Sequence, residues 1–235
     1  MMKHYFLFLA AGLFLVGTAQ AQVTYSVGPR VGLNVSSVRF PTTNRDAPAS
    51  RPGLEAGLTG TAQFGHFALQ PSLLFSQKGY RHLGYLLNFD LVTPYEEDVR
   101  LHYLTLPLNL AFTLGRDGQG LQVFAGPYAS LLLGGSYSQR MRGLDGEATG
   151  QVKAASREPD TDNRYVQRFD GGLQAGLGYR LKGLQLQASY SLGLRSLGVP
   201  YRPYRPSGGS LYEEALPYYN QAFQVALSYL FAAKS

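Results

Sequence analysis

A chain of 235 residues with 28 Gly, 17 Tyr, 13 Phe, no Trp, no Cys and a formal charge of +6 is excluded from several classes at once. Without cysteine it has no disulfide, no thiolate metal site and no lipid-bearing N-terminal cysteine. Glycine and aromatic enrichment favours strands and turns over helices, and the largely arginine charge lies on no helix or motif that would read nucleic acid.

The chain opens MMKHYFLFLAAGLFLVGTAQAQ. Lys3 supplies a basic start, Tyr5 to Val16 form an apolar stretch too short to span a bilayer, and Ala19-Gln20-Ala21 is a small-x-small cleavage site. We read residues 1–21 as a cleaved secretory signal peptide and 22–235 as one domain of the larger all-β kind. Beyond residue 21 no apolar run approaches the ~20 residues of a spanning helix, so any membrane crossing is by strands.

Eight segments then alternate apolar and small or polar residues with period two. The first places Val27, Val31, Leu33 and Val35 against Arg30 and Asn34; the second, Leu54, Leu58 and Phe64 against Glu55, Thr59 and Gln63. The third sets Phe67, Leu69, Leu73 and Phe75 against Gln70, Ser72 and Ser76. In the fourth, LHYLTLPLNLAFTL at 101–114, every second residue from Leu104 to Phe112 is Leu or Phe. The fifth opposes Leu121, Val123, Leu131 and Leu133 to Gln122, Tyr128 and Ser130, and the sixth opposes Phe169, Leu173, Leu177 and Tyr179 to Asp170, Gln174 and Arg180. The seventh sets Leu184, Leu186, Tyr190, Leu192 and Leu194 against Gln185, Gln187, Ser191 and Arg195. The eighth places Phe223, Val225, Leu227, Tyr229 and Phe231 against Gln224 and Ser228.

Segments of about ten residues match tilted membrane strands rather than the five or six residues usual in soluble sheets. The connections alternate strictly. Polar stretches around 36–51, 77–99, 136–165 and 196–217 follow the odd segments, whereas only Gly65-His66, residues 115–120 and Lys182-Gly183 follow the even ones. This is the pattern of an eight-stranded antiparallel up-and-down transmembrane β-barrel, with short turns and both termini periplasmic and long loops outside. The apolar face lacks charge and meets lipid. The polar face is small enough to fill a narrow lumen, which disfavours a pore. Tyr25, Tyr103, Tyr137, Tyr165, Tyr179, Tyr219 and Tyr229 near segment ends suit aromatic girdles.

The short hairpins fix register. Gly65-His66 sets Gln63 opposite Ala68 and Glu55 opposite Ser76, and Lys182-Gly183 sets Arg180 opposite Gln185 and Gln174 opposite Ser191. Extended, that register brings Asp170 to Arg195 as an ion pair inside the barrel, with Arg30, Glu55 and Arg180 as further lumen charges.

The stretches QPSLLFSQKGY (70–80), YLTLPLNLAF (103–112), GPYASLLL (126–133) and FDGGLQAGLGYRL (169–181) together resemble the PorT-like outer-membrane β-barrel family of Bacteroidota over nearly the whole mature chain. The resemblance implies an eight-stranded outer-membrane barrel, and its namesake member is implicated in type IX secretion. One departure is that the final aromatic, Phe231, is followed by AAKS, whereas outer-membrane barrels often end on the aromatic read by the assembly machinery.

No catalytic, cofactor-binding or metal-ligating set is expected. His66 and His82 lie in connections, His102 has outward parity without a serine partner at its height, Glu96-Glu97-Asp98 reads as a solvated loop, and residues 143–150 lack calcium-loop spacing. Function is expected in the outer loops. Residues 199–218 offer Tyr201, Arg202, Tyr204, Arg205 and Tyr212 as contact residues, with prolines that lower the cost of ordering. The expected role is structural or surface-binding. The alternatives are a lipid A-modifying enzyme, a secretion-system accessory factor, and third a soluble barrel carrying an apolar ligand. The basic balance suits outer-membrane lipid and lipopolysaccharide as partners, beside the assembly machinery and an envelope protein. The chain is expected to be a monomer.

Overall fold

The computed structural model describes residues 23–41, 48–88, 91–115, 118–141, 146–157, 163–200 and 216–232. The strands are β1 (Thr24–Arg39), β2 (Ala49–Phe64), β3 (Phe67–Asn88), β4 (Leu91–Thr113), β5 (Gly120–Met141), β6 (Glu147–Ala154), β7 (Arg164–Val166), β8 (Phe169–Leu181), β9 (Leu184–Gly193), β10 (Tyr219–Tyr229) and β11 (Phe231–Ala232). Eight of them close a ring, β1-β2-β3-β4-β5-β8-β9-β10, antiparallel throughout, with β10 returning to β1. β11 continues β10 along β1 through Val27 opposite Phe231. The hairpin registers are those the turns require: Gln63 faces Ala68, Glu55 faces Ser76, Arg180 faces Gln185 and Gln174 faces Ser191. The signal-peptide reading falls on residues 1–21, outside the described residues.

The alternating leucines point outward. Leu33, Leu58, Leu73, Leu108, Leu173 and Leu186 are all exposed on the barrel wall, so the oily face is not a core and the soluble-carrier reading fails. From Leu104 to Leu114 the chain rises about 33 Å at about 3.3 Å per residue, and a tilt near 40° reduces this to about 25 Å, the height of an outer-membrane apolar band. Tyr25, Tyr179 and Tyr229 lie on that wall toward the short-turn end beside Phe67, Phe112 and Phe231. Phe67 meets Phe112 edge-on at 5.2 Å, and Tyr229 meets Phe231 at 4.9 Å.

The lumen is filled by hydrogen-bonded side chains. Arg30 donates from Nε to Glu55 at 3.2 Å and from a second nitrogen to Gln187, which donates to Gln70 at 3.0 Å. Gln185 also donates to Gln70, and Gln174 donates to Asn109 at 2.8 Å. Strands from opposite walls are thereby cross-linked, and buried polar atoms gain the partners that burial demands.

Two expected loops are strands. Residues 77–88 and 91–99 continue β3 and β4, and the stretch 136–165 contains the end of β5, β6 and β7. Above the apolar band the inside of the sheet becomes oily: Val38, Tyr80, Val99, Leu101, Tyr103, Leu132, Val152 and Val166 form a core. On β4 the exchange falls between Tyr103, which points in, and Leu104, which points out. Surroundings explain it, since below this level the outer face meets hydrocarbon and above it water, so the apolar side must change faces. Tyr103 and Tyr165 are buried in this cap, and Tyr137 packs against it, so none belongs to a girdle. Tyr219 lies beneath the Arg39 guanidinium, 5.2 Å away.

Candidate functional site

Asp170 is 2 % exposed inside the barrel, yet Arg195 is not its partner. Leu194 and Arg195 both donate backbone N–H to the carbonyl of Gly171, at 2.9 and 3.2 Å. Two residues against one make a bulge, which breaks the alternation. Arg195 is therefore exposed on the outer face, its guanidinium 5.9 Å from the Phe169 ring. The cation beside Asp170 is Lys78, at 3.6 Å. Asn220 and Tyr128 donate to the same carboxylate oxygen at 2.8 and 3.4 Å, and the Lys78 ammonium lies 4.6 Å from the Tyr128 ring. This set stands between the polar lumen and the oily cap. Arg30 and Glu55 are buried against each other, and the half-buried Arg180 donates to Ser26 at 3.1 Å.

Glu96-Glu97-Asp98 is not a solvated loop but part of β4, with alternate side chains sent to opposite faces. Asp98 points out to arginines, and Glu97 points in, where it pairs with Arg164 of β7. His82 lies in β3, its ring 6.3 Å from Tyr95; His66 donates from Nδ1 to the Thr113 carbonyl at 2.9 Å; His102 stacks on Phe75 at 5.7 Å. The candidate contact residues Tyr201, Arg202, Tyr204, Arg205 and Tyr212 lie outside the described residues.

The Glu97–Arg164 pair forms one wall of a cavity of about 280 Å³ at the long-loop end. The other walls are mostly aromatic, from Phe40, Tyr80, Tyr95, Tyr165 and Tyr218, with His82, Val199 and Leu216 completing them. Tyr218 packs against Phe40 at 5.9 Å and Tyr80 at 6.3 Å, and Arg164 donates to the Tyr80 hydroxyl at 3.4 Å. The bulge at Leu194 turns the chain inward over the mouth. Leu197 is then buried, donates to the Tyr218 carbonyl at 2.9 Å, and accepts from Gln167 at 2.9 Å. Burial pushes the Tyr80 phenol up to about 12, with Arg164 lowering it and Glu97 raising it. Burial likewise raises Tyr218 well above the phenolic norm. Both remain neutral hydroxyls, and the cavity presents aromatic faces beside a fixed carboxylate and guanidinium. Sequence reasoning missed Lys78, Tyr80, Glu97, Arg164 and Tyr218. The available signal was the change of apolar parity at Tyr103.

A closed ring with an outward hydrocarbon band, a plugged lumen and a water-facing cap defines an integral outer-membrane β-barrel protein. Within that class the chain belongs to the outer membrane protein beta-barrel domain family, whose sequence pattern matches residues 19–198. Comparison with curated proteins finds no match. Among solved structures, the chain is similar to Ail, the attachment invasion locus protein of Yersinia pestis, at 12% identity and TM-score 0.41, covering 88% of this chain and 98% of that one. It is also similar to Neisserial surface protein A, at 11% identity and TM-score 0.43, covering 87% and 97%. A third is the N-terminal β-barrel domain of Pseudomonas aeruginosa OprF, at 12% identity and TM-score 0.29, covering 86% and 97%.

Proposed function

We propose that this protein is a non-enzymatic surface-binding barrel. Its long-loop end faces the cell exterior, its termini face the periplasm, and its mouth cavity takes a small polar ligand with an apolar face, such as a sugar ring. One observation carries the reading. Among the described residues the lumen is crossed by the Arg30–Gln187–Gln70 chain and filled by buried polar side chains, whereas the long-loop end holds an aromatic cavity. Tyrosines provide rigid amphipathic contact area at low entropic cost, and the Glu97–Arg164 pair offers hydroxyl partners of both kinds. The basic start, short apolar stretch and Ala19-Gln20-Ala21 site support export through a cleaved leader, and the PorT-like stretches support an accessory role beside a larger envelope assembly. The environment of His102, stacked on Phe75 and sharing a depression with Arg51 and Arg100, suits a buttressing ring rather than a general base.

Binding of the detergent-solubilised full chain to an array of immobilised glycans tests the cavity. Tyr218→Ala and Glu97→Gln are expected to abolish any captured signal while leaving the heat-dependent gel shift of the folded barrel intact. A signal unaffected by both changes removes the cavity from the reading. Orientation is tested separately, because the chain has no cysteine. Ala148→Cys, on exposed β6, is expected to react with a membrane-impermeant maleimide on intact cells.

A further inference from the structure

Just above the apolar band, the outer wall concentrates arginine. Arg51 of β2, Arg81 of β3 and Arg100 of β4 converge on one carboxylate, Asp98, at 2.6, 3.1 and 3.7 Å. Three guanidinium groups share this one acid. One level outward, Glu96 and Glu147 line a second depression with Arg81 and Arg140, so that among the described residues four arginines face three carboxylates and one positive charge is left over, beside Arg100. The next ion pair outward is Arg140 with Glu147 at 3.3 Å, and Glu96 stands opposite Arg140 on β4. Arg81 and Arg100 are 47% and 57% exposed, so both can turn to an external anion, whereas Arg51 is 12% exposed and anchors the cluster.

Beside the cluster lies a depression of about 320 Å³ between Arg51, Arg100, His102 and Ser136, with Leu33 and Leu54 as its lower lip. It exists because the β2–β3 register shifts between Ser50 and Glu55 and because the strands approach closely at Gly53. A Cβ there would stand 2.1 Å from the Gln77 carbonyl oxygen, so this point of the floor has no side chain. The lower lip is continuous with the lipid-facing wall, and the upper rim is cationic. Hydrocarbon below and exposed guanidinium with a surplus positive charge above match an amphiphile with an anionic head, and arginine suits phosphate because its planar fork donates two parallel hydrogen bonds.

We propose that this groove binds the phosphate of lipid A in the outer leaflet, with Arg100 on the phosphate, Arg81 reaching it from the far side of Asp98, and acyl chain along Leu33 and Leu54. The lipid thereby fixes the height and rotation of the barrel beneath its cap. The inference rests on the outward placement of the long-loop end.

The test compares phosphorylated with enzymatically dephosphorylated lipid A, titrated against the full chain in detergent micelles, with inorganic phosphate and phosphatidylglycerol as parallel probes. The wild type should prefer phosphorylated lipid A, and Arg81→Gln with Arg100→Gln should weaken that binding about tenfold, a loss of about 1.4 kcal/mol, without affecting the dephosphorylated lipid. Arg140→Gln should change nothing. Equal binding of the two lipid A forms, or an unchanged affinity in the double variant, overturns the proposal. So does inorganic phosphate that displaces the lipid completely, or phosphatidylglycerol that binds more tightly with the same arginine dependence. If Ala148→Cys labels on intact cells while lipid binding fails, the groove is wrong and the orientation stands; if labelling fails, the orientation is wrong.

Discussion

Lys78 and Asp170 are 2 % exposed each, and a charge so placed must be compensated locally. Breaking a buried pair by removing one member typically costs about 3–5 kcal/mol, because the survivor is left uncompensated. Asp170→Asn is therefore expected to lower the unfolding free energy from denaturant titration by that order, with Lys78→Met on the same background recovering most of the loss. An Asp170→Asn protein as stable as the wild type would contradict the pairing. Asp98 is governed by different physics at the water-facing level. Burial raises its pKa, but the hydrogen bond and charge of Arg51, with Arg81 and Arg100, outweigh burial and hold it below the usual carboxylate value. A depressed native pKa means stability that is fully present above the unfolded value near 3.9 and lost as pH falls through the native one. Proteolytic nicking of the β3–β4 extension is thus expected to increase below about pH 4, and Asp98→Asn should remove most of that pH dependence.

At the scale of the strand, the informative features are bulges. Between His102 and Tyr103 the β4–β5 register shifts by one residue, so that Gly134 opposes His102 while Leu132 opposes Tyr103. Gly134 has φ +148°, a conformation that side chains rarely adopt. Gly134→Val is expected to cost about 1–3 kcal/mol. The loss should fall on the cap, seen as faster hydrogen exchange along residues 135–141 and 147–154, while the heat-dependent gel shift persists. The bulge at Leu194 shows how far sequence carries. A register read from the Lys182-Gly183 turn holds to Gly172 opposite Gly193 and fails two residues later, because alternation has no symbol for an inserted residue. Arg195 therefore sits on the opposite face from the one its parity implies, and Lys78, distant in sequence, takes its place beside Asp170. The strands within the bilayer were legible because lipid imposes one rule on every outward position. The cap was not, since its core residues Tyr80, Val99 and Leu101 carry the opposite parity and look like interruptions when one rule is applied throughout. The Glu97–Arg164 cavity joins β4 to β7 across the mouth, a contact that no local spacing encodes.

For the whole molecule, the decisive question is what surrounds the outward leucines, and the barrel answers it with two solvents stacked along one axis. Leu108 lies midway along the β4 band and is 44% exposed in the protein alone. Against water that exposure would be a liability for aggregation; against acyl chains it is the ordinary state of a spanning strand. Its inward neighbour Asn109 is 4% exposed and accepts from Gln174, so the two faces of a single dipeptide meet hydrocarbon and a hydrogen-bonded lumen. Leu108→Arg should therefore cost about 2–4 kcal/mol when unfolding is measured in lipid bilayers, the penalty for a cation at the midplane. Leu83→Arg, an equally outward position on β3 above the band that is 60% exposed, should cost almost nothing because its neighbour is water. The contrast between the two substitutions locates the bilayer along the barrel. A similar cost at both positions would mean that the apolar band extends over the cap, and no cost at either would mean that the leucine wall does not face lipid.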